Sequence, residues 1–154
     1  MSSLNALMIA IDAAGRKRDA ARQAVQERQR ALQAGQAQMD QLQGYVQEMH
    51  GRWGTQEGQA VQPEVMHHQY QFMERLQHAI GLQTKVLADL EIRLEAARQA
   101  LMAAELRVSS LNKVVEVRKR DMALAQMRRE QKETDDRAAI QFFRRSFGLQ
   151  LQEI

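Results

Sequence analysis

Histidines are the residues of this sequence best suited to chemistry, because imidazole binds metals and exchanges protons near neutral pH. His50, His67 and His68 lie on either side of a stretch that contains glycine, and Glu64 is close to the last two. A zinc site needs three or four converging ligands. His67 and His68 are adjacent and therefore point in different directions on a helix. We predict neither a metal site nor a cofactor.

Catalytic motifs are missing as well. The chain has no cysteine, which excludes thiolate metal sites and disulfides. It contains no phosphate-binding glycine loop and no nucleophile motif. We therefore interpret the protein as non-enzymatic.

The composition predicts that the chain forms long helices. Its 154 residues include one proline and eight glycines, and only 5% are aromatic. Ala, Gln, Arg, Glu, Leu and Met dominate, and these are strong helix formers. Such a composition is typical of a coiled coil, and it excludes a many-stranded β fold because turn-forming residues are too few.

Apolar residues repeat every seven positions in two series. The first runs from Leu4 to Trp53 and the second from Met66 to Met122. Heptads sustained over this length are a strong coiled-coil signal. Between the series, three glycines and the single proline fall within Gly51–Pro63. We predict an all-α fold, a long antiparallel two-helix coiled-coil hairpin.

The predicted boundaries follow from these two series. A first helix covers about residues 2–53, a turn about residues 54–63, and a second helix about residues 64–140. We expect them to form one domain, residues 1–145, followed by a flexible C-terminal tail, residues 146–154.

The second helix is longer than the first and is predicted to extend past it. If Trp53 lies near residues 62–66, Leu4 lies opposite about Lys113. Later seam residues would have no partner in the hairpin, and exposed apolar side chains rimmed by charge often mark a partner-binding surface. The alternative is an ordinary frayed helix end. We name the following residues the seam extension: Val115, Arg118, Met122 and Ala125.

A second candidate surface lies near the turn, where the apolar stripe widens by one position on each helix. Tyr45 and Phe72 lie outside the seam and are expected to be partly exposed, which makes them candidate hot spots. The alternative is that they thicken a narrow core. We name the following residues the tip patch: Gln38, Leu42, Tyr45, Met49, Phe72, Leu76, Ala79 and Gln83.

Basic residues are concentrated between Lys113 and Lys132 and would attract nucleic acid. No nucleic-acid-binding motif or run of stacking aromatics accompanies them, so we predict no nucleic-acid partner. No segment is apolar enough to span a bilayer, and the N-terminus lacks a signal-peptide pattern. We expect a cytoplasmic protein without direct membrane insertion.

The layout and several side chains resemble the flagellar FliJ family, over roughly residues 1–145. The turn falls near residue 58, and residues 130–138 are similar to a segment of that family which begins Glu-Gln-Lys. The side chains that carry the resemblance are Gln38, Leu42 and Tyr45 before the turn, and Phe72, Leu76 and Ala79 after it.

The resemblance implies a component of bacterial flagellar type III protein export. FliJ proteins are similar to the central stalk of rotary ATPases: they bind the hexameric ring of the export ATPase and promote its assembly and activity. They also contact the cytoplasmic domain of the export gate and interact with export chaperones. The tip patch matches the family's contact with the export gate, and we expect the contact with the ATPase at the seam extension. The implied location is the cytoplasm, peripherally at the inner membrane beneath the flagellum.

Two alternatives stay open at the level of sequence. Injectisome stalk proteins of the YscO type share the predicted shape and the link to an ATPase. A generic structural coiled-coil scaffold, including an intermolecular dimer, would show the same heptads.

Overall fold

Two long helices make up the protein, whose computed structural model describes residues 2–56 and 62–152, with side chains for residues 3–53 and 62–149. Helix α1 spans Ser2–Gln56 and helix α2 spans Pro63–Gln152. The described residues contain no strand. Neither helix contains a stretch apolar enough to cross a bilayer. The predicted all-α fold of two antiparallel helices is confirmed.

Helix α2 starts where the sequence suggests. The backbone carbonyl of Gln62 accepts hydrogen bonds from the amides of Val65 and Met66, at 3.1 and 3.2 Å. Pro63 suits the first helical position because its missing N–H would have no partner there. Glu64 in the first turn interacts favourably with the helix dipole. Of the predicted turn, residues 57–61 lie outside the described residues.

The C-terminal end of α2 differs from the prediction, since the helix continues past residue 140 to Gln152. The heptad seam ends earlier because Arg129 and Asp136 occupy its positions. Helix formation depends on propensity as well as packing, and residues 126–147 contain neither glycine nor proline. The division into a domain and a flexible tail stays a prediction.

The chain forms two units, each built from parts of both helices. The turn-side unit comprises residues 14–106 and the terminal unit comprises residues 1–13 and 107–154. In the turn-side unit an exposed ion pair joins Arg22 to Glu105 at 3.8 Å. The buried apolar side chains of this unit are Ala14, Met39, Met73, Leu76 and Leu94.

The register of the two helices in the turn-side unit differs from the prediction. Trp53 packs edge-on against Tyr70, with ring centroids 5.4 Å apart. Gly35 lies against Leu87, so closely that an added Cβ would be 3.0 Å from Leu87 Cδ2. The predicted register set Trp53 near residues 62–66, and therefore Gly35 opposite about residue 82. The prediction was thus displaced by about five residues.

Packing of the seam explains the observed register. The predicted register would have placed the buried Met39 opposite His78, which is exposed. The observed register places it opposite Gln83, a half-buried residue of the seam. Antiparallel coiled coils bury apolar surface only when seam residues of the two helices meet in common layers. The predicted register was taken from the position of the turn, which does not require seam residues to meet. It was therefore a weaker basis for predicting the register.

The terminal unit is also a packed pair of helical segments. Its buried side chains are Val108, Leu111 and Val115, all on α2. Its half-buried residues on α1 are Leu4, Leu7, Ala10 and Ile11. Their spacing of three or four residues places them on one side of α1, so we infer that this side covers the buried residues of α2.

Candidate partner-binding sites

A hydrogen bond across the seam organises the end of the tip patch that lies away from the turn. Gln83 Nε2 donates to the backbone oxygen of Gly35 at 2.8 Å and lies 3.3 Å from Gln38 Oε1. Gly35 permits this approach because it carries no side chain; Leu87 and Leu90 already occupy the space beside it. The two polar members of the tip patch, Gln38 and Gln83, therefore bind each other and the backbone of α1.

The apolar members of the tip patch differ in exposure. Leu76 is buried in the seam. Tyr45 and Phe72 are 50% and 46% exposed, which confirms the predicted partial exposure of both aromatics. The half-buried members are Leu42, Met49 and Ala79. The surface that this patch offers to a partner therefore consists mainly of the two aromatic rings.

Both aromatics precede a seam residue, Tyr45 before Val46 and Phe72 before Met73. Such positions share one flank of an antiparallel pair. The observed register, with Gly35 against Leu87, places Tyr45 opposite about residue 77, roughly 7 Å along the axis from Phe72 at 1.5 Å per residue. The predicted register would have placed Tyr45 opposite Phe72 and Leu42 near Leu76, so that part of the prediction is wrong and the two aromatic residues lie further apart along the axis than it implied.

Beside the tip patch lies a groove of about 430 Å³ that the sequence reasoning did not identify. Trp53 Nε1 is buried there and has no hydrogen-bond partner among the described residues. The available signal was a tryptophan at a heptad position near the turn. The groove is lined by His50, Trp53, His67, Tyr70, Gln71, Met73, Glu74 and Gln77.

Two histidines of this unit, His50 and His67, line the groove. The ring of His67 forms a hydrogen bond of 3.2 Å with the side chain of Gln71. Among the described residues no three acidic or histidine side chains are placed to hold a metal ion.

In the terminal unit, the seam extension divides into a covered part and an exposed part. Val115 is only 7% exposed, so the prediction that it has no cover within the hairpin is wrong. We infer from this burial, together with the half-buried side of α1 in residues 4–11, that α1 reaches further along α2 than the predicted register allowed. Arg118 is exposed, Met122 is 43% exposed and Ala125 is half-buried.

Past Ala125, every described side chain of α2 up to Leu149 is exposed. This stretch carries more exposed large apolar residues than the seam extension does. The large exposed apolar residues are Met127, Ile140, Phe142, Phe143, Phe147 and Leu149.

Comparison with known proteins now adds a family to this geometry. Residues 4–147 match the family described as flagellar FliJ protein. A search of curated proteins gave no match, and a search of solved structures gave none either. The match covers most of the chain and therefore shows that the chain is a member of this family. The chain belongs to the flagellar FliJ protein family, whose members are non-enzymatic components of the flagellar export apparatus.

Proposed function

We propose that this protein binds the ring of the flagellar export ATPase through Arg118, Met122 and Ala125, and that it promotes assembly and activity of the ring. One contrast carries the proposal. Val115 and Met122 occupy the same heptad position one repeat apart, yet exposure rises from 7% to 43% between them. The apolar seam of α2 thus continues beyond the cover that α1 gives it. A partner helix would complete this seam.

The charge beside Met122 supports a protein partner. Arg118 is exposed and lies about one helical turn before Met122 on the same side of α2. It has no ion-pair partner among the residues that the structure describes. An apolar centre with a charged rim is the arrangement of a typical protein interface. Val115 then has a supporting role, since it holds α2 against α1 just before the proposed contact.

The proposal for the export gate concerns the tip patch. Tyr45 and Phe72 are half exposed on one flank, and exposed aromatics are frequent hot spots. Gln83 and Gln38 hold the two helices in the register that sets the spacing of these rings. We expect the rings to contact the cytoplasmic domain of the gate, and the buried Leu76 to support them from below.

Membership of the family supports two further parts of the proposal. Export chaperones are expected partners, and the protein is expected to act in the cytoplasm, peripherally associated with the inner membrane at the flagellar base. The match to the flagellar family favours this role over an injectisome stalk or a generic scaffold.

Titration of the full-length protein with the two purified partners tests the assignments. We expect Met122→Asp to weaken binding to the export ATPase about tenfold or more, which corresponds to about 1.4 kcal/mol, and to leave gate binding unchanged. The double variant Tyr45→Ala, Phe72→Ala should show the reverse pattern. Met102→Asp is a matched control, because Met102 is exposed on α2 outside both surfaces.

The outcomes separate the two sites from misfolding. Unchanged ATPase affinity of Met122→Asp would contradict the assignment of the seam extension. Loss of both partners in either variant, together with reduced helicity, would indicate misfolding instead of a lost contact. Equal effects of Met122→Asp and Met102→Asp would show that added charge alone weakens binding.

A further inference from the structure

A second apolar stripe runs along α2 in the terminal unit, on the side that faces away from α1. Val108, Leu111 and Val115 mark the buried side of the helix. At 3.6 residues per turn, Val117 and Leu124 lie roughly opposite that side. The exposed fractions are 47% for Val117, 45% for Leu124 and 65% for Met127.

Two basic residues, Lys113 and Arg120, lie on the same side of α2 as this stripe, seven residues apart. We name the following residues the outer stripe: Lys113, Val117, Arg120, Leu124 and Met127. Their spacing alternates between four and three residues, which is the spacing of a coiled-coil seam. Neither Lys113 nor Arg120 has an ion-pair partner among the described residues. Arg128, which lies beside the stripe, has none there either.

We propose that the outer stripe docks an acidic amphipathic helix of a partner protein. The partner's apolar seam residues pack against Val117, Leu124 and Met127. Its Asp or Glu side chains pair with Lys113 and Arg120, whose charges would otherwise be buried without a partner. Complementary charge at these positions selects the partner and fixes its register.

Other occupants fit this surface less well. The stripe is narrow and about 21 Å long at 1.5 Å per residue, whereas a helix lying on a lipid surface needs a broad apolar face. None of its residues is aromatic, which removes the stacking that single-stranded nucleic acid uses.

The outer stripe is separate from the contact proposed for the export ATPase. On α2, Leu124 is about 160° around the helix axis from Met122. Both surfaces are therefore available on the same stretch of helix, and the acidic helix is a contact in addition to the ATPase ring. The inference goes beyond the proposed function, and its test does not involve the ATPase.

A designed peptide is the probe for this surface. It is a fluorescein-labelled helix of about four heptads with leucine in the seam and glutamate beside it. Fluorescence anisotropy of this peptide is measured against the full-length protein. We expect saturable binding that Leu124→Asp weakens about tenfold or more, while Met122→Asp and Met102→Asp leave it unchanged. A scrambled peptide of equal charge should not bind.

Charge reversal provides the second arm. The double variant Lys113→Glu, Arg120→Glu should lose the acidic peptide and gain a matching lysine-based peptide. All substituted residues are exposed, so thermal unfolding of the variants should follow that of the original protein.

Several outcomes would overturn the inference. One is no binding of the acidic peptide to the full-length protein. Another is binding that is indifferent to Leu124→Asp. A third is binding of anionic phosphatidylglycerol vesicles or of duplex DNA that depends on the outer stripe in place of peptide binding.

Discussion

The side-chain amide of Gln83 donates a 2.8 Å hydrogen bond to the backbone carbonyl of Gly35 on the opposite helix. The contact needs glycine on α1, because a side chain there would meet Leu87 and Leu90. The side chain of Gln83 on α2 thus contacts the backbone of α1 at Gly35, within the seam. Polar contacts of this kind fix the register of paired helices, and here the register determines where the aromatic rings of the tip patch lie.

The close approach at Gly35 predicts sensitivity to added volume. Gly35→Leu should lower the free energy of unfolding by about 1–3 kcal/mol, because it forces Leu87 and Leu90 out of their positions. Gly44 is a matched control, since nothing lies within 4 Å of a Cβ added there. Gly44→Leu should raise stability by up to about 0.8 kcal/mol through helix propensity. Equal changes for the two variants in urea unfolding would contradict the close approach.

The hydrogen bond itself predicts a smaller effect. Gln83→Ala should lower the free energy of unfolding by about 1 kcal/mol, the usual net value of such a bond. Gln38→Ala removes only the longer contact of 3.3 Å at an exposed residue. Its effect should stay within about 0.5 kcal/mol. If Gln38→Ala cost as much as Gln83→Ala in urea unfolding, the bond to Gly35 would not be the stabilising one.

Two seam residues one heptad apart should respond differently to the same substitution. Val115→Asp buries a carboxylate without a partner and should cost about 3 kcal/mol. Met122→Asp places the carboxylate in water and should cost less than about 0.5 kcal/mol. The measurement is thermal unfolding followed by circular dichroism, with amide hydrogen exchange of residues 3–13 as a local readout. Similar stability of the two variants would contradict the cover over Val115.

The aromatic contact near the turn provides another matched pair. Tyr70 and Tyr45 are both exposed, but Tyr70 packs edge-on against Trp53. Tyr70→Ala should cost about 1 kcal/mol and shift the emission of Trp53, the only tryptophan, to longer wavelength. Tyr45→Ala should change stability by no more than about 0.5 kcal/mol and leave the emission unchanged. An emission wavelength of Trp53 that is unchanged by Tyr70→Ala would contradict the packing of these rings.

Periodicity was a sound guide to the helices and to the exposed aromatics. Apolar side chains at heptad spacing must be buried against a second helix, so the two series predicted α1, α2 and their antiparallel packing. Tyr45 and Phe72 fall one position outside the seam, which was enough to predict their partial exposure.

Register and helix length could not be read from periodicity in the same way. The register depends on which residues meet across the seam, and the contact between Gly35 and Gln83 is a fit between two particular residues. Val115 was consequently expected to lie beyond the cover of α1. Heptads predict only the part of a helix that packs against another helix. Helix α2 continues to Gln152 because helix propensity alone suffices to extend it past the seam.

The most direct test of the proposed role is the stimulation of the flagellar export ATPase. ATP hydrolysis and ring assembly are measured with the full-length protein, with residues 1–129 and with residues 1–117. Both shortened chains keep Val108, Leu111 and Val115, and circular dichroism verifies that they remain helical. We predict that the full-length protein and residues 1–129 stimulate the ATPase, and that residues 1–117 do not. Equal stimulation by residues 1–117, or none by the folded full-length protein, would contradict the account.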